Sequence, residues 1–103
     1  MSEKLIQTEI IKYLQSLGWK VIKTVVLSKS GDADLICCDT KGMFWAIEVK
    51  DLKEKPRPLQ ITKLLETQRI GGNACSVSSL KQLKGYISNG VPYIEDKKII
   101  FSL

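Results

Sequence analysis

The chain has 103 residues, 44% of them hydrophobic and 26% charged, with a formal net charge of +5. Such a length and balance support one folded domain over residues 1–103, with a modest core and no room for a second, and exclude a disordered tail. No histidine occurs, which excludes a Ser-His-Asp triad, a Cys-His nucleophile pair and histidine-bearing zinc sites; hydrolytic chemistry must run on carboxylates, lysines, hydroxyls, thiols or an oxygen-bound metal.

Leu5, Ile6, Ile10, Tyr13, Leu14 and Leu17 recur at helical spacing, with Ser2 placed to cap the run and Gly18 to stop it, and predict a first helix. Trp19–Leu27 is β-branched and aromatic with interleaved lysines and reads as a strand, followed by a polar loop from Ser28 to Asp32. Two further strands, Ala33–Asp39 and Met43–Lys50, are joined by Thr40-Lys41-Gly42, a hairpin loop whose glycine supplies a left-handed conformation. A charged loop, Asp51–Pro58, leads into a second helix that opens at Pro58, buries Ile61, Leu64 and Leu65, and ends near Ile70 before Gly71-Gly72. A short strand near Ala74–Val77 and a third helix from about Ser79 to Ser88 follow, and Tyr93–Ile94 with Lys98–Phe101 suggest a closing hairpin. Antiparallel strands before a strand–helix–strand crossover predict an α/β sandwich with a mixed sheet.

Cys37, Cys38 and Cys75 are odd in number and lack a CxxC spacing, so they predict small buried hydrophobes in strands rather than disulfides or a zinc site. Reduced thiols, no leader pattern after Met1 and no long apolar run predict a cytoplasmic protein, in a bacterium or a phage-infected host, without a membrane span. The positive balance favours a polyanionic partner, because lysines that neutralise phosphates release condensed counterions. Trp19 and Trp45 read as core or dimer-interface residues rather than platforms for bases, since neither sits in a basic loop.

The hairpin register carries the most information. With Thr40-Lys41-Gly42 as the loop, Asp39 faces Met43 and Asp34 faces Glu48, a pairing that brings opposite Cβ atoms within about 5 Å. The two-residue period of a strand puts Lys50 on the face of Glu48 and turns Ile47 and Val49 toward apolar packing. Two carboxylates and one ammonium thus converge, an arrangement that like-charge repulsion opposes unless something offsets it. A hard divalent cation does so, and oxygen ligands select magnesium or manganese over zinc. A structural ion cluster neutralised by Lys50 is the other reading of the same three residues.

Asp34 after Gly31, followed by Ala46-Ile47-Glu48-Val49-Lys50, resembles the PD-(D/E)XK nuclease superfamily. Glu9 on the first helix, Gln60 at the start of the second and the run Gly71 to Val77 after it narrow the likeness to the virus-type replication and repair nuclease branch, VRR-Nuc. The pattern departs at Ala33, where that branch usually has proline, and Asp32 adds a neighbouring acid. The resemblance implies a restriction-endonuclease-like αβββαβ core with a mixed central sheet flanked by helices. It also implies metal ligation by Asp34, Glu48 and the Val49 carbonyl, with Lys50 orienting or deprotonating the attacking water, and supporting roles for Glu9 and Gln60. Magnesium, with manganese as substitute, would be the cofactor.

Lys53, Lys55 and Arg57, which follow the catalytic strand, and Lys29 in the earlier loop are the expected DNA-phosphate contacts; Lys20 and Lys23 are weaker candidates. The resemblance implies a structure-directed endonuclease acting on branched DNA, akin to a Holliday-junction resolvase. Cutting two symmetric strands with one site per chain calls for a homodimer. A nuclease of other preference (flap, nicking or restriction-like), a non-catalytic DNA-binding module and a basic protein with no nucleic-acid role are the competing readings.

Overall fold

The computed structural model describes residues 2–24 and 33–94. Its elements run α1 (Glu3–Ser16), β1 (Lys20–Lys23), β2 (Leu35–Cys38), β3 (Phe44–Val49), α2 (Pro58–Arg69), β4 (Asn73–Val77) and α3 (Leu80–Asn89), the predicted order. Lys29, Asp32 and the far half of the expected closing hairpin lie outside the described residues, and Tyr93–Ile94 form no strand.

Each helix starts where its sequence supplies a partner for orphan N–H groups. Ser2 Oγ accepts from Leu5 N at 3.2 Å to begin α1, and Ser79 Oγ accepts from Gln82 N at 3.1 Å to begin α3. In α2 Pro58 occupies the first turn, where its missing N–H costs nothing, and Gln60 Oε1 accepts from the backbone N–H of Arg57 at 2.9 Å. Gly18 takes φ +87° just past α1, which a side chain would resist.

The sheet order is β1-β2-β3-β4, antiparallel except for the β3–β4 pair, which α2 connects. The β2–β3 register is the one read from the hairpin: Cys38 faces Phe44, Leu35 faces Ile47, and Asp39 N donates to Met43 O at 3.0 Å. The loop is clamped by one carboxylate. Asp39 Oδ1 accepts from Lys41 N and Met43 N, and Oδ2 accepts from Trp45 Nε1 at 3.0 Å. Partial burial alone would raise this carboxyl, but those hydrogen bonds, Trp45's foremost, hold it below its usual range. Gly42, at φ +83°, supplies the left-handed turn.

Alternation divides the sheet into two unequal cores. Leu35, Cys37, Trp45, Ile47, Val49, Cys75 and Val77 point to the side covered by α1 and α3 and pack with Ile6, Ile10, Leu14, Trp19 and Leu83. The opposite side is lined by Ala33, Ala46 and Ala74 against Leu64 of α2, small residues that let the helix lie close. Trp19 and Trp45 are both buried, with ring centroids 5.0 Å apart, so they belong to the core and not to an interface. Cys37 and Cys75 are buried as expected, their thiols pushed up to about 12 by burial; Cys38 is exposed, contrary to expectation, because alternation turns it away from the main core.

Parallel pairing has a consequence for function. Val49 faces Val77, and Lys50 N donates to Val77 O at 2.9 Å, so β3 and β4 end side by side. The first turn of α2 reaches this end through Gln60, and α3 begins just beyond Val77. In open α/β sheets this edge is where ligands bind.

Candidate active site

Glu48 is the centre of the site. It lies on the penultimate position of β3, is only 2% exposed, and sits on the side of the sheet that α2 covers. Gln60 Nε2 donates to its Oε1 at 3.0 Å, and Lys50 Nζ lies 3.6 Å from the same oxygen. The orientation of the Gln60 amide follows from its partners: a backbone N–H requires the carbonyl oxygen and a carboxylate requires the NH₂ group. Gln60 therefore ties the first turn of α2 to the acid on β3.

Asp34 lies one residue before the β2 ladder rather than within it. Its backbone carbonyl accepts from Thr24 N at 3.0 Å, while its carboxylate Oδ2 accepts from Val49 N at 2.7 Å. A short acidic side chain competes with the ladder for a neighbouring N–H, which ends the strand and aims the carboxylate across toward β3. Of Val49 the structure thus defines the N–H, bound to Asp34.

The electrostatics of the pair are unfavourable without a further cation. Burial, and next the charge of Asp34, push the Glu48 carboxyl up to about 8, against the downward pull of Lys50. Among the described residues Glu48 Oε2 is buried and has no hydrogen-bond partner. A buried carboxylate oxygen left in this way is costly, and Lys50 does not relieve it because its ammonium contacts Oε1. The donor set fits a hard divalent cation: two carboxylates side by side, one with a free buried oxygen, and no sulfur or imidazole ligand.

A second acid on α1, Glu3, is electrostatically coupled to this site. Burial and then Glu54 raise the Glu3 carboxyl above its usual range, Lys50 lowers it, and Asp34 and Asp51 raise it again. The carboxylates of Glu3, Asp51 and Glu54 lie within 4.8 Å of one another. Glu9 lies six residues further along, about 9 Å up the helix axis, and borders a cleft with Ile6, Asp51, Leu52, Lys53, Ser78 and Ser79. Glu3 escaped the sequence reading because an acid in the first turn of a helix already suits the helix dipole; the remaining clue was that helix starts and strand ends share one edge of such a sheet.

Lys53, Lys55 and Arg57 are all exposed on the connection from β3 to α2. The connection has internal order: Asp51 Oδ1 accepts from Lys53 N at 2.8 Å and from Glu54 N at 3.1 Å.

An αβββαβ chain with two acids and a lysine at the end of a mixed sheet defines the restriction-endonuclease-like class of α/β domain. A solved structure described as "VRR_NUC domain" matches it with a TM-score of 0.75 and 28% identity, over 86% of this chain and 98% of that one. A second, described as "VRR_NUC domain protein", matches with a TM-score of 0.64 over 92% of this chain and 98% of that one; its 17% identity shows the fold alone. In fold, and at 28% identity in sequence, the chain is thus similar to VRR-Nuc domains. No protein-family model matches it, and no curated protein resembles it closely in sequence.

Proposed function

We propose that this domain is a metal-dependent DNA endonuclease that hydrolyses phosphodiester bonds. The observation that carries the reading is the buried Glu48 carboxylate beside Asp34, with one oxygen unpartnered and Lys50 against the other. Asp34, Glu48 and the Val49 carbonyl would hold the ion, magnesium or manganese. When bound, the ion would polarise the scissile phosphate and favour ionisation of the attacking water. Lys50 places its side-chain nitrogen at the mouth of the site, 13% exposed, where it orients the water and faces charge developing on the phosphate. Gln60 is a positioning residue: it holds the Glu48 side chain by one oxygen and leaves the other for the ion. Glu3 takes the supporting role that the sequence reading gave to Glu9.

DNA with a branch, such as a four-way junction, is the proposed substrate, and Lys53, Lys55, Arg57 and Lys29 are its proposed phosphate contacts. No base-reading motif accompanies the site, which favours recognition by shape. Two sites for paired nicks would come from a homodimer. An uncovered stretch of sheet supports this: Ile22 on β1 and Phe44 on β3 are 51% and 45% exposed on the side that α2 covers only in part.

The test is incubation of purified protein with four-way junction, flap and linear duplex DNA, with and without magnesium. Magnesium-dependent paired nicks confined to the junction are expected. Equal cutting of all three removes the structure-directed part, and intact DNA binding without any cleavage makes the domain a binding module.

A further inference from the structure

Two adjoining clefts leave the active-site edge in a direction that the catalytic residues do not use. The first, of about 430 Å³, lies between α1, the Asp51-Leu52-Lys53 turn and the start of α3. The second, of about 780 Å³, continues from it along α3. They share Leu52, Ser78 and Ser79, so they form one groove that starts one residue past Lys50.

Their linings differ in charge. The first cleft carries the acids Glu9 and Asp51, which repel phosphate, beside a single cation, Lys53. Among the described residues the second carries no acid; Lys81, Gln82, Tyr86 and Asn89 supply a cation, two amides and an aromatic ring. Leu52 stands between the two clefts with 89% of its surface in water, on the turn whose N–H groups Asp51 holds. An apolar side chain held in solvent on an ordered turn is placed to pack against a flat apolar partner.

We infer that the groove along α3 binds an unpaired DNA strand running away from the scissile phosphate, with Leu52 packed against a base at the point where the strand leaves the duplex. The inference rests on the nuclease reading and adds to its branched substrate a stretch of strand left unpaired at the branch point. Cation, amides and aromatic ring without acids are the lining that tracks a single strand by phosphate attraction and base stacking. Apolar side chains at such places separate base steps in other nucleic-acid complexes. The ten residues of α3 extend about 15 Å, enough to run beside a few nucleotides of one strand.

The test is fluorescence anisotropy with the full chain in EDTA, titrated against an oligo-dT of about twelve nucleotides and a blunt duplex of about twelve base pairs. Oligo-dT is expected to bind more tightly than the duplex. Leu52→Ala combined with Lys81→Glu should weaken oligo-dT about tenfold. Both side chains are exposed, and an acid in the first turn of α3 suits the helix dipole, so folding should persist, as circular dichroism will show. Lys12→Glu makes the same charge change on α1 outside the groove and should alter affinity less than about twofold. Equal losses in Lys12→Glu and the double variant, tighter binding of the duplex than of the strand, or no loss in the double variant each overturn the groove. Magnesium-dependent cleavage by the wild type is scored separately: an inactive chain that still holds oligo-dT through the groove refutes the nuclease reading alone, and an active chain without groove dependence refutes this inference alone.

Discussion

Replacing Glu48 by glutamine keeps the shape of the side chain and removes its charge, which separates what the acid does for folding from what it does for metal. In the ion-free chain the Glu48 carboxyl is raised from the usual 4.5 to about 8 by burial and by Asp34. Below pH 4.5 folded and unfolded chains both carry the proton, and the carboxyl costs nothing. Between 4.5 and about 8 the folded state keeps a proton that the unfolded state releases, so wild-type stability falls as pH rises; above about 8 it stays at its low level. At about 1.36 kcal/mol per pH unit this interval has an upper figure of about 5 kcal/mol. Relaxation around the Asp34–Glu48 pair should leave about 2–3 kcal/mol. Glu48→Gln escapes the loss, and its NH₂ group can donate to Asp34. In EDTA the variant is therefore expected to melt about 10 °C above wild type at pH 8.5 and near wild type at pH 4.5, read by circular dichroism. Manganese should raise the wild-type melting temperature and leave the variant unmoved. A variant less stable than wild type at pH 8.5 would show that Glu48 is satisfied without an ion, and the metal-site argument would fail.

Asp34→Ala should abolish manganese binding in calorimetry and, by orphaning the Val49 N–H, lower stability by about 1–3 kcal/mol in urea unfolding; Asp34→Asn should lose the metal while keeping most of the stability. Gln60→Ala removes the donor that holds Glu48 and should reduce metal affinity about 10–100-fold with the fold retained; unchanged affinity would remove Gln60 from the site. Glu3→Gln is expected to lower the cleavage rate about tenfold, whereas Glu9→Gln should stay within about twofold, and the reverse order would restore Glu9. Asp39→Ala should cost about 1–3 kcal/mol, because Lys41 N, Met43 N and Trp45 Nε1 lose their acceptor. Since the Asp39 carboxyl is held below its usual range, its contribution is present above about pH 4 and lost as pH falls further, so wild type and variant should converge in strong acid.

The acid pair, Glu48 buried and Asp34 partly so, illustrates why stability and function conflict at this site. A core of this size would be better served by two apolar residues at positions 34 and 48, yet the sheet brings like charges together where α2 excludes water. Gln60 and the Val49 N–H hold each carboxylate by one oxygen, which limits the cost.

Local chemistry made much of this molecule legible in one dimension. Helix stripes such as Ile6, Ile10 and Leu14 follow a 3.6-residue period, and Gly42 after Thr40-Lys41 allows only a tight turn, so the elements and the β2–β3 register could be read from residue order. From that register came the meeting of Asp34, Glu48 and Lys50, because antiparallel strands joined by a short loop have little freedom in how they pair. Contacts between distant segments were not legible. Parallel pairing of β3 with β4 places Ser78 and Ser79 beside Leu52, and the packing of α1 across the sheet brings Glu3 within electrostatic reach of Lys50 and Asp34. The hydrogen bond from Gln60 to Glu48 Oε1 likewise depends on how closely α2 settles on Ala46 and Ala74. These arrangements are set by side-chain volume and by the summed packing of several elements, quantities that no local window of sequence contains.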